Sequence, residues 1–283
     1  MENDFQLLRI KRSGRVASVI VDAPPVNVIT MPLFAELDRA TALLKSDADL
    51  NVIVFKSANP DFFLAHFDVS AILERPVHFD PQRDAQMKPF HVMCERVRTM
   101  SKVTIAQIEG RVGGGGSEFA AAMDMRFGVR GRTVINQMEV PLGILPGGTG
   151  TQRLPRLLGR GRALELILGA DDLDGETAER WGYLNRVLEP DQIDAFVSRL
   201  AARIASFPVE AVRLAKESVN NAERPWLEGI YEEAYLFERL LRTPEARRNM
   251  QKFLELGGQT RDAELRMGDL NAELGDGIAD EPV

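Results

Sequence analysis

A single cysteine in 283 residues, Cys94, has no partner for an internal disulfide and suits a reducing compartment. Nothing in the chain approaches the ~20 consecutive apolar residues that a membrane-spanning helix needs. Positive charge is not in excess: the net charge is −7, so no global basic field draws the chain to nucleic acid or to an anionic membrane. There are three histidines, and His78 and His91 flank a polar stretch without the carboxylate or cysteine spacing of a metal site. The N-terminal run MENDFQLLRIKRSG lacks the apolar core of a secretion signal and carries the acidic residues that transit peptides avoid. No internal repeat is evident. These absences predict a soluble, cytoplasmic protein with no metal site and no nucleic-acid or membrane partner.

What is present is ordinary in bulk and unusual in one place. The hydrophobic and charged fractions, 45% and 27%, are those of a soluble globular chain long enough to bury a substantial core. Between Ile108 and Arg153, however, an apolar run meets four consecutive glycines, Gly113–Gly116. They lead into Ser117-Glu118-Phe119-Ala120-Ala121-Ala122, a helical pattern, and a second glutamate, Glu139, precedes a second glycine-rich turn. Four glycines in a row are costly in unfolded-chain entropy and belong where the backbone must approach something closely. A helix opening there points unpaired amides and the positive end of its dipole at whatever it faces, a place for an anion or a developing oxyanion. Two familiar glycine motifs are excluded. The dinucleotide fingerprint needs glycine at its sixth position, which is Glu118 when counted from Gly113, and Gly116-Ser117 lacks the lysine of a P-loop.

Around this stretch the pattern predicts alternating strands and helices. Phe5–Lys11 and Arg15–Val21 form a hairpin turned at Ser13-Gly14. Thr30 caps a helix with Pro32 in its first turn and Phe34, Leu37 and Leu44 on one face. Asn51–Phe55 is a strand buried on both faces, and the crossover connections imply a mostly parallel sheet. Phe63–Val69 is a strand and turn, with Val69–Leu73 opening a short helix. The proline-punctuated run Arg75–Pro89 is either a lid or a plain surface connection. Phe90–Met100 is a helix in which Cys94 packs as a small apolar residue, and Val103–Ile108 is a strand. Met125–Val129 and Thr133–Ile135 are short strands that return Glu139 towards the glycines. Beyond Thr151 come helices, with Asp174, Ser206 and Thr243 as N-caps and a last short strand at Leu184–Val187. The polar, acidic end is expected to fray.

Three segments carry a resemblance. Gly110–Asp124, GRVGGGGSEFAAAMD, is similar to the signature of the enoyl-CoA hydratase/isomerase (crotonase) superfamily, a strand running into a Gly-Gly-Gly-x-Glu loop and an alanine-rich helix. Glu139–Gly148 and Gly150–Leu154 resemble its second signature, and Phe63–Val69 resembles its Phe-x-Ala-Gly-x-Asp-Leu/Ile segment. The order and spacing match, and the likeness covers residues 5–257. It implies an α/β fold, a crotonase-like ββα spiral core over residues 1–200. A C-terminal helical oligomerisation region would follow over 201–270, building a homotrimer or dimer of trimers, and then an acidic, disordered tail over 271–283.

The resemblance also implies chemistry. Attack on the β-carbon of an α,β-unsaturated acyl-CoA thioester places negative charge on the thioester oxygen, and fixed donors stabilise it with little reorganisation. Those donors would be the backbone amides of Phe67 and Gly115. Glu118 would orient and activate water, and Glu139 would act as general acid at the α-carbon. Val26, Ala65, His66, Asp68, Val69 and Gly114 would line the acyl-CoA site. No cofactor is implied, since coenzyme A arrives as part of the substrate. The chain departs from the family pattern in four ways: His66 where glycine is usual, Met138 where proline is common, one extra residue near Gly131, and no basic residue after Val69, where Ser70-Ala71 follow. Hydration is the leading reading; double-bond isomerisation or another enolate reaction is the second. A crotonase-fold protein that binds RNA without catalysis is the third, and the acidic charge speaks against it.

Overall fold

The opening hairpin forms where the alternating pattern predicts it. β1 (Leu8–Ser13) and β2 (Val16–Val21) pair antiparallel, with Ser13 opposite Val16 across Gly14, whose φ of 53° suits the turn. The structure, a computed structural model, describes residues 5–74, 87–223, 225–257, 259 and 273–274. Residues 75–86 of the proposed lid, with His78, and nearly all of the acidic tail therefore lie outside the described residues.

α1 (Met31–Ser46) begins at Thr30, whose hydroxyl accepts from the Leu33 amide at 3.3 Å. Leu33, Leu37, Ala40, Thr41 and Leu44 are its buried stripe. The chain then makes three turns of a spiral. Each turn puts one strand into a six-stranded sheet, one into a four-stranded sheet, and then a helix. The first turn is β3 (Val52–Ser57), β4 (Phe62–Leu64), α2 (Val69–Leu73) and α3 (Pro89–Thr99). The second is β5 (Val103–Ile108), β6 (Arg111–Gly113) and α4 (Gly114–Ala121). The third is β7 (Met125–Val129), β8 (Val134–Asn136), a 3₁₀ turn at Val140–Leu142, α5 (Gly150–Leu158) and α6 (Arg160–Gly169). β9 (Leu173–Asp174), α7 (Gly175–Trp181) and β10 (Arg186–Leu188) close it.

The large sheet runs β1-β2-β3-β5-β7-β10, parallel throughout except for the hairpin, and the small one runs β4-β6-β8-β9. This is the strand–strand–helix spiral that the resemblance implies. β3 is buried on both faces as expected: Ile53 and Phe55 join the core shared with α1, α3 and α4, while Val52 and Val54 meet α8 (Ile193–Ala205) through Val197 and Ala201. α4 is buried at every position, and Phe119 sets its ring edge-on to Phe55 at 5.5 Å, a burial worth about 3 kcal/mol.

α8 spans position 200 and covers the outer face of the large sheet. α9 (Val209–Asn220) is pinned at the starts of β5 and β7: Lys216 Nζ donates to Asp124 at 2.7 Å and to the Lys102 carbonyl at 2.8 Å. α10 (Trp226–Leu241) and α11 (Pro244–Glu255) follow, the latter capped by Thr243 as predicted. Ser206 does not cap α9. It ends α8, its hydroxyl donating to the Arg203 carbonyl at 2.8 Å, because Phe207 separates it from Pro208, the residue that precedes the helix. The last strand is shifted to Arg186–Leu188 from the expected Leu184–Val187, since Tyr183 and Leu184 turn into the core. No described helix is long and apolar enough to cross a membrane.

Candidate active site

Two segments of the small sheet lie side by side: Ala65–Asp68, which continues β4, and the glycine run, which joins β6 to α4. The glycines are required by this closeness. A Cβ on Gly116 would collide with the Leu64 carbonyl. Gly114 has a φ of 43°, and a Cβ there would sit 3.1 Å from Glu139 Oε1 and 3.2 Å from His66 Cβ.

The two expected oxyanion donors are brought together. A Cβ on Gly115 would stand 3.0 Å from Phe67 Cβ and 3.3 Å from Phe67 N. Gly115 lies in the first turn of α4, where amides have no acceptor within the helix. Phe67 forms a parallel bridge with Ile29. The bonds of that bridge use the His66 carbonyl (2.8 Å) and the Asp68 amide (3.1 Å), which leaves the Phe67 amide turned away from Ile29. The two residues are thus neighbours, and neither amide is used by the helix or by the bridge.

Both glutamates border this place and both are buried, Glu118 to 3% exposure and Glu139 to 7%. Glu118 Oε1 accepts from the amides of Gly148 (2.7 Å) and Gly150 (2.6 Å). Thr149 between them has a φ of 101°, the left-handed geometry that turns flanking amides to one side as an anion-binding nest. Arg153 Nε donates to Thr149 Oγ1 at 2.9 Å. Burial nevertheless dominates, pushing the Glu118 carboxyl up to about 7. The two amides and Arg153 oppose that rise, and the neighbouring Glu139 adds to it. Burial also raises Glu139, while a bond from its own backbone and the charge of His66 pull it down. Glu139 Oε2 is buried with no hydrogen-bond partner among the described residues.

The model of the enoyl-CoA hydratase/isomerase family matches residues 11–260. The chain belongs to this family. It is 32% identical over 253 residues to a probable enoyl-CoA hydratase of Rhizobium meliloti, covering 88% of this chain and 95% of that one. To a short-chain-enoyl-CoA hydratase of Clostridium acetobutylicum it is 30% identical over 216 residues, covering 75% and 80%. An enoyl-CoA hydratase subunit I structure from Geobacillus kaustophilus superposes with a TM-score of 0.82 at 30% identity, over 92% of this chain and 98% of that chain.

Of the residues that this enoyl-CoA hydratase/isomerase family member was expected to use for acyl-CoA binding, Ala65, His66 and Gly114 adjoin the carboxylates or the amide pair. Ala65 presents its carbonyl to Gly113, and His66 shares with Glu139 the space beside Gly114. Val26 is half-buried in the turn before Asn27, whose carbonyl accepts from the Ala65 amide at 3.2 Å. Asp68 caps α2 by accepting from the Ser70 amide at 2.9 Å, and Val69 is the first, half-buried residue of that helix. Cys94 is buried, and burial raises its thiol well above its ordinary value, so it packs as an apolar residue as expected.

Several site residues escaped the sequence reading. Gly148 and Gly150 hold Glu118; the second glycine-rich turn was the signal, but not for which residue. Phe34, Phe67 and Phe90 form a mutual cluster with ring centroids 5.7–6.2 Å apart, and Phe90 packs against Gly148. His91 Nε2 donates to the Gly147 carbonyl at 2.6 Å, tying α3 to the turn that holds Glu118. Gln137, two residues before Glu139, is fully buried with neither amide atom partnered among the described residues. Among those residues no group of three metal-ligating side chains occurs.

Proposed function

We propose that this chain hydrates the 2,3 double bond of an α,β-unsaturated acyl-CoA. The observation that carries the reading is the presence of two buried carboxylates, Glu118 and Glu139, beside the glycine run that packs against Phe67. The thioester oxygen would sit between the Phe67 and Gly115 amides, which stabilise the enolate as charge develops there. Burial raises both neighbouring carboxyls, and hydration needs one of them ionised and the other protonated. In the productive arrangement Glu118 is the ionised member, since its oxygen already accepts two N–H bonds, and Glu139 carries the proton. Glu118 takes a proton from the water that attacks the β-carbon, and Glu139 gives its own to the α-carbon. The pair begins and ends with one proton, moved from Glu139 to Glu118, and solvent exchange restores the starting state. Coenzyme A is part of the substrate, and the reading calls for no further cofactor.

Mixing the protein with crotonyl-CoA tests this directly. Rapid loss of the conjugated thioester absorbance is the expected result. No loss at high protein concentration, with absorbance instead created from a 3-enoyl-CoA, would turn the assignment to isomerisation.

The C-terminal helices support an assembly of several chains. Val219, Tyr231, Tyr235, Phe237, Met250 and Leu254 are exposed on α9, α10 and α11, a concentration of apolar surface that supports a homotrimer or a dimer of trimers. Light scattering of three or six chains is expected, and a monomer at micromolar concentration would refute it. The lone, buried Cys94 supports a cytoplasmic setting.

A further inference from the structure

The turn that holds Glu118 contains a residue in a backbone conformation that its side chain disfavours. Thr149 has φ 101° and ψ −5°, the left-handed region, where a β-branched residue is an outlier. Such strain persists only where the surroundings impose it. Thr149 stands immediately before α5, yet its hydroxyl makes no cap bond to that helix. The hydroxyl instead accepts from Arg153 Nε at 2.9 Å, while another nitrogen of the same guanidinium pairs with Glu95 on α3. The second oxygen of Glu95 is gripped by Arg98, at 3.0 Å from Nε and 2.9 Å from a terminal nitrogen. One helical turn earlier on α3, His91 Nε2 donates to the Gly147 carbonyl at 2.6 Å. α3 therefore holds the turn at two points, directly at Gly147 and through Arg153 at Thr149.

We propose that Thr149 and Arg153 are positioning residues for Glu118: the Glu95–Arg153–Thr149 strut holds residue 149 left-handed, so that the Gly148 and Gly150 amides stay aimed at one carboxylate oxygen. Those amides reach Glu118 Oε1 at 2.7 and 2.6 Å because the chain curls back between them. An extended or helical φ at residue 149 would turn the two amides apart. Glu118 would then stay buried and lose the bonds that orient it and favour its ionised form. Arginine suits the task because its planar guanidinium presents donors in a fixed fork, one to Thr149 and another to Glu95. A charge acting at a distance would need no fork, and that difference can be tested. The catalytic part of this role rests on the hydration proposed above, in which the strut steadies the water-activating carboxylate without touching substrate.

Hydrogen exchange at the Gly148 and Gly150 amides, read by mass spectrometry on the full chain, reports the strut whatever the reaction. Arg153→Met and Thr149→Val should each speed exchange at both amides by about tenfold, with the β5 amides unchanged as a check on the fold. Thr149→Ser, which keeps the hydroxyl, should retain slow exchange. Glycine takes a left-handed φ freely, so in a Thr149→Gly background the Arg153→Met effect should shrink to about threefold or less. In crotonyl-CoA hydration the same cycle should appear in kcat, about tenfold with threonine at 149 and about threefold or less with glycine, while KM stays nearly constant. Unchanged exchange in Thr149→Val, or an Arg153→Met effect of equal size in both backgrounds, overturns the proposal. So does an active enzyme whose kcat ignores the loss of the strut. A wild-type protein that fails to hydrate crotonyl-CoA would defeat the function proposed above, and the exchange arm would still decide whether the strut holds the turn.

Discussion

Glu139→Gln should lower kcat for crotonyl-CoA hydration by about a thousandfold, the scale of a lost general acid, and leave KM within a few-fold of wild type. The split follows from the geometry. Carbonyl binding is assigned to the amides of Phe67 and Gly115, which the substitution does not touch, whereas the proton for the α-carbon is assigned to a carboxyl that glutamine cannot replace. Oε2 has no hydrogen-bond partner among the described residues, so the change at that atom breaks no bond to another side chain there. Stopped-flow absorbance under single-turnover conditions separates chemistry from product release. A variant within tenfold of the wild-type rate would remove Glu139 from the acid role, and a large rise in KM with kcat intact would make it a binding residue.

Glu118→Gln should abolish hydration as well, yet stabilise the free protein above neutral pH. Burial raises this carboxyl from 4.5 to about 7, against the pull of the Gly150 amide and with a further push from Glu139. The folded state thus favours the protonated form. Its contribution is present in full below about pH 4.5 and is lost as pH rises through about 7, by about 3 kcal/mol in total. Glutamine keeps an oxygen for the Gly148 and Gly150 amides and never ionises. Unfolding free energies of variant and wild type from urea titrations should therefore coincide near pH 4.5, diverge through neutrality and differ by up to ~3 kcal/mol at pH 8. A constant difference across that range would mean that the ionised carboxylate costs the fold nothing. Loss of activity together with a gain in stability is what a buried charge kept for catalysis predicts.

Much of this protein is local and could be read from the chain. The hairpin follows from alternation broken at Gly14, and the caps Thr30, Asp174 and Thr243 each precede their helix by one residue. β3 is a continuous apolar run because both its faces are covered. The glycine run and the two glutamates were legible as a site because four glycines are hard to explain without close backbone approach. The Ser206 cap failed for a local reason too: a serine two positions before proline is not the residue that opens the helix.

What pairs with what was a different matter. That Glu118 is held by Gly148 and Gly150, some thirty residues on, depends on how α5 is set against α4 and on the left-handed turn at Thr149. The Phe34–Phe67–Phe90 cluster gathers three distant segments, and His66 and Glu139 border one space only because Gly114, at the start of α4, lies against both. The sequence by itself determined the strand and helix order, the need for a backbone-lined anion site and the two carboxyls beside it. The tertiary structure alone decided the proton affinities of those carboxyls, because desolvation and neighbouring charge depend on distances that no linear spacing contains.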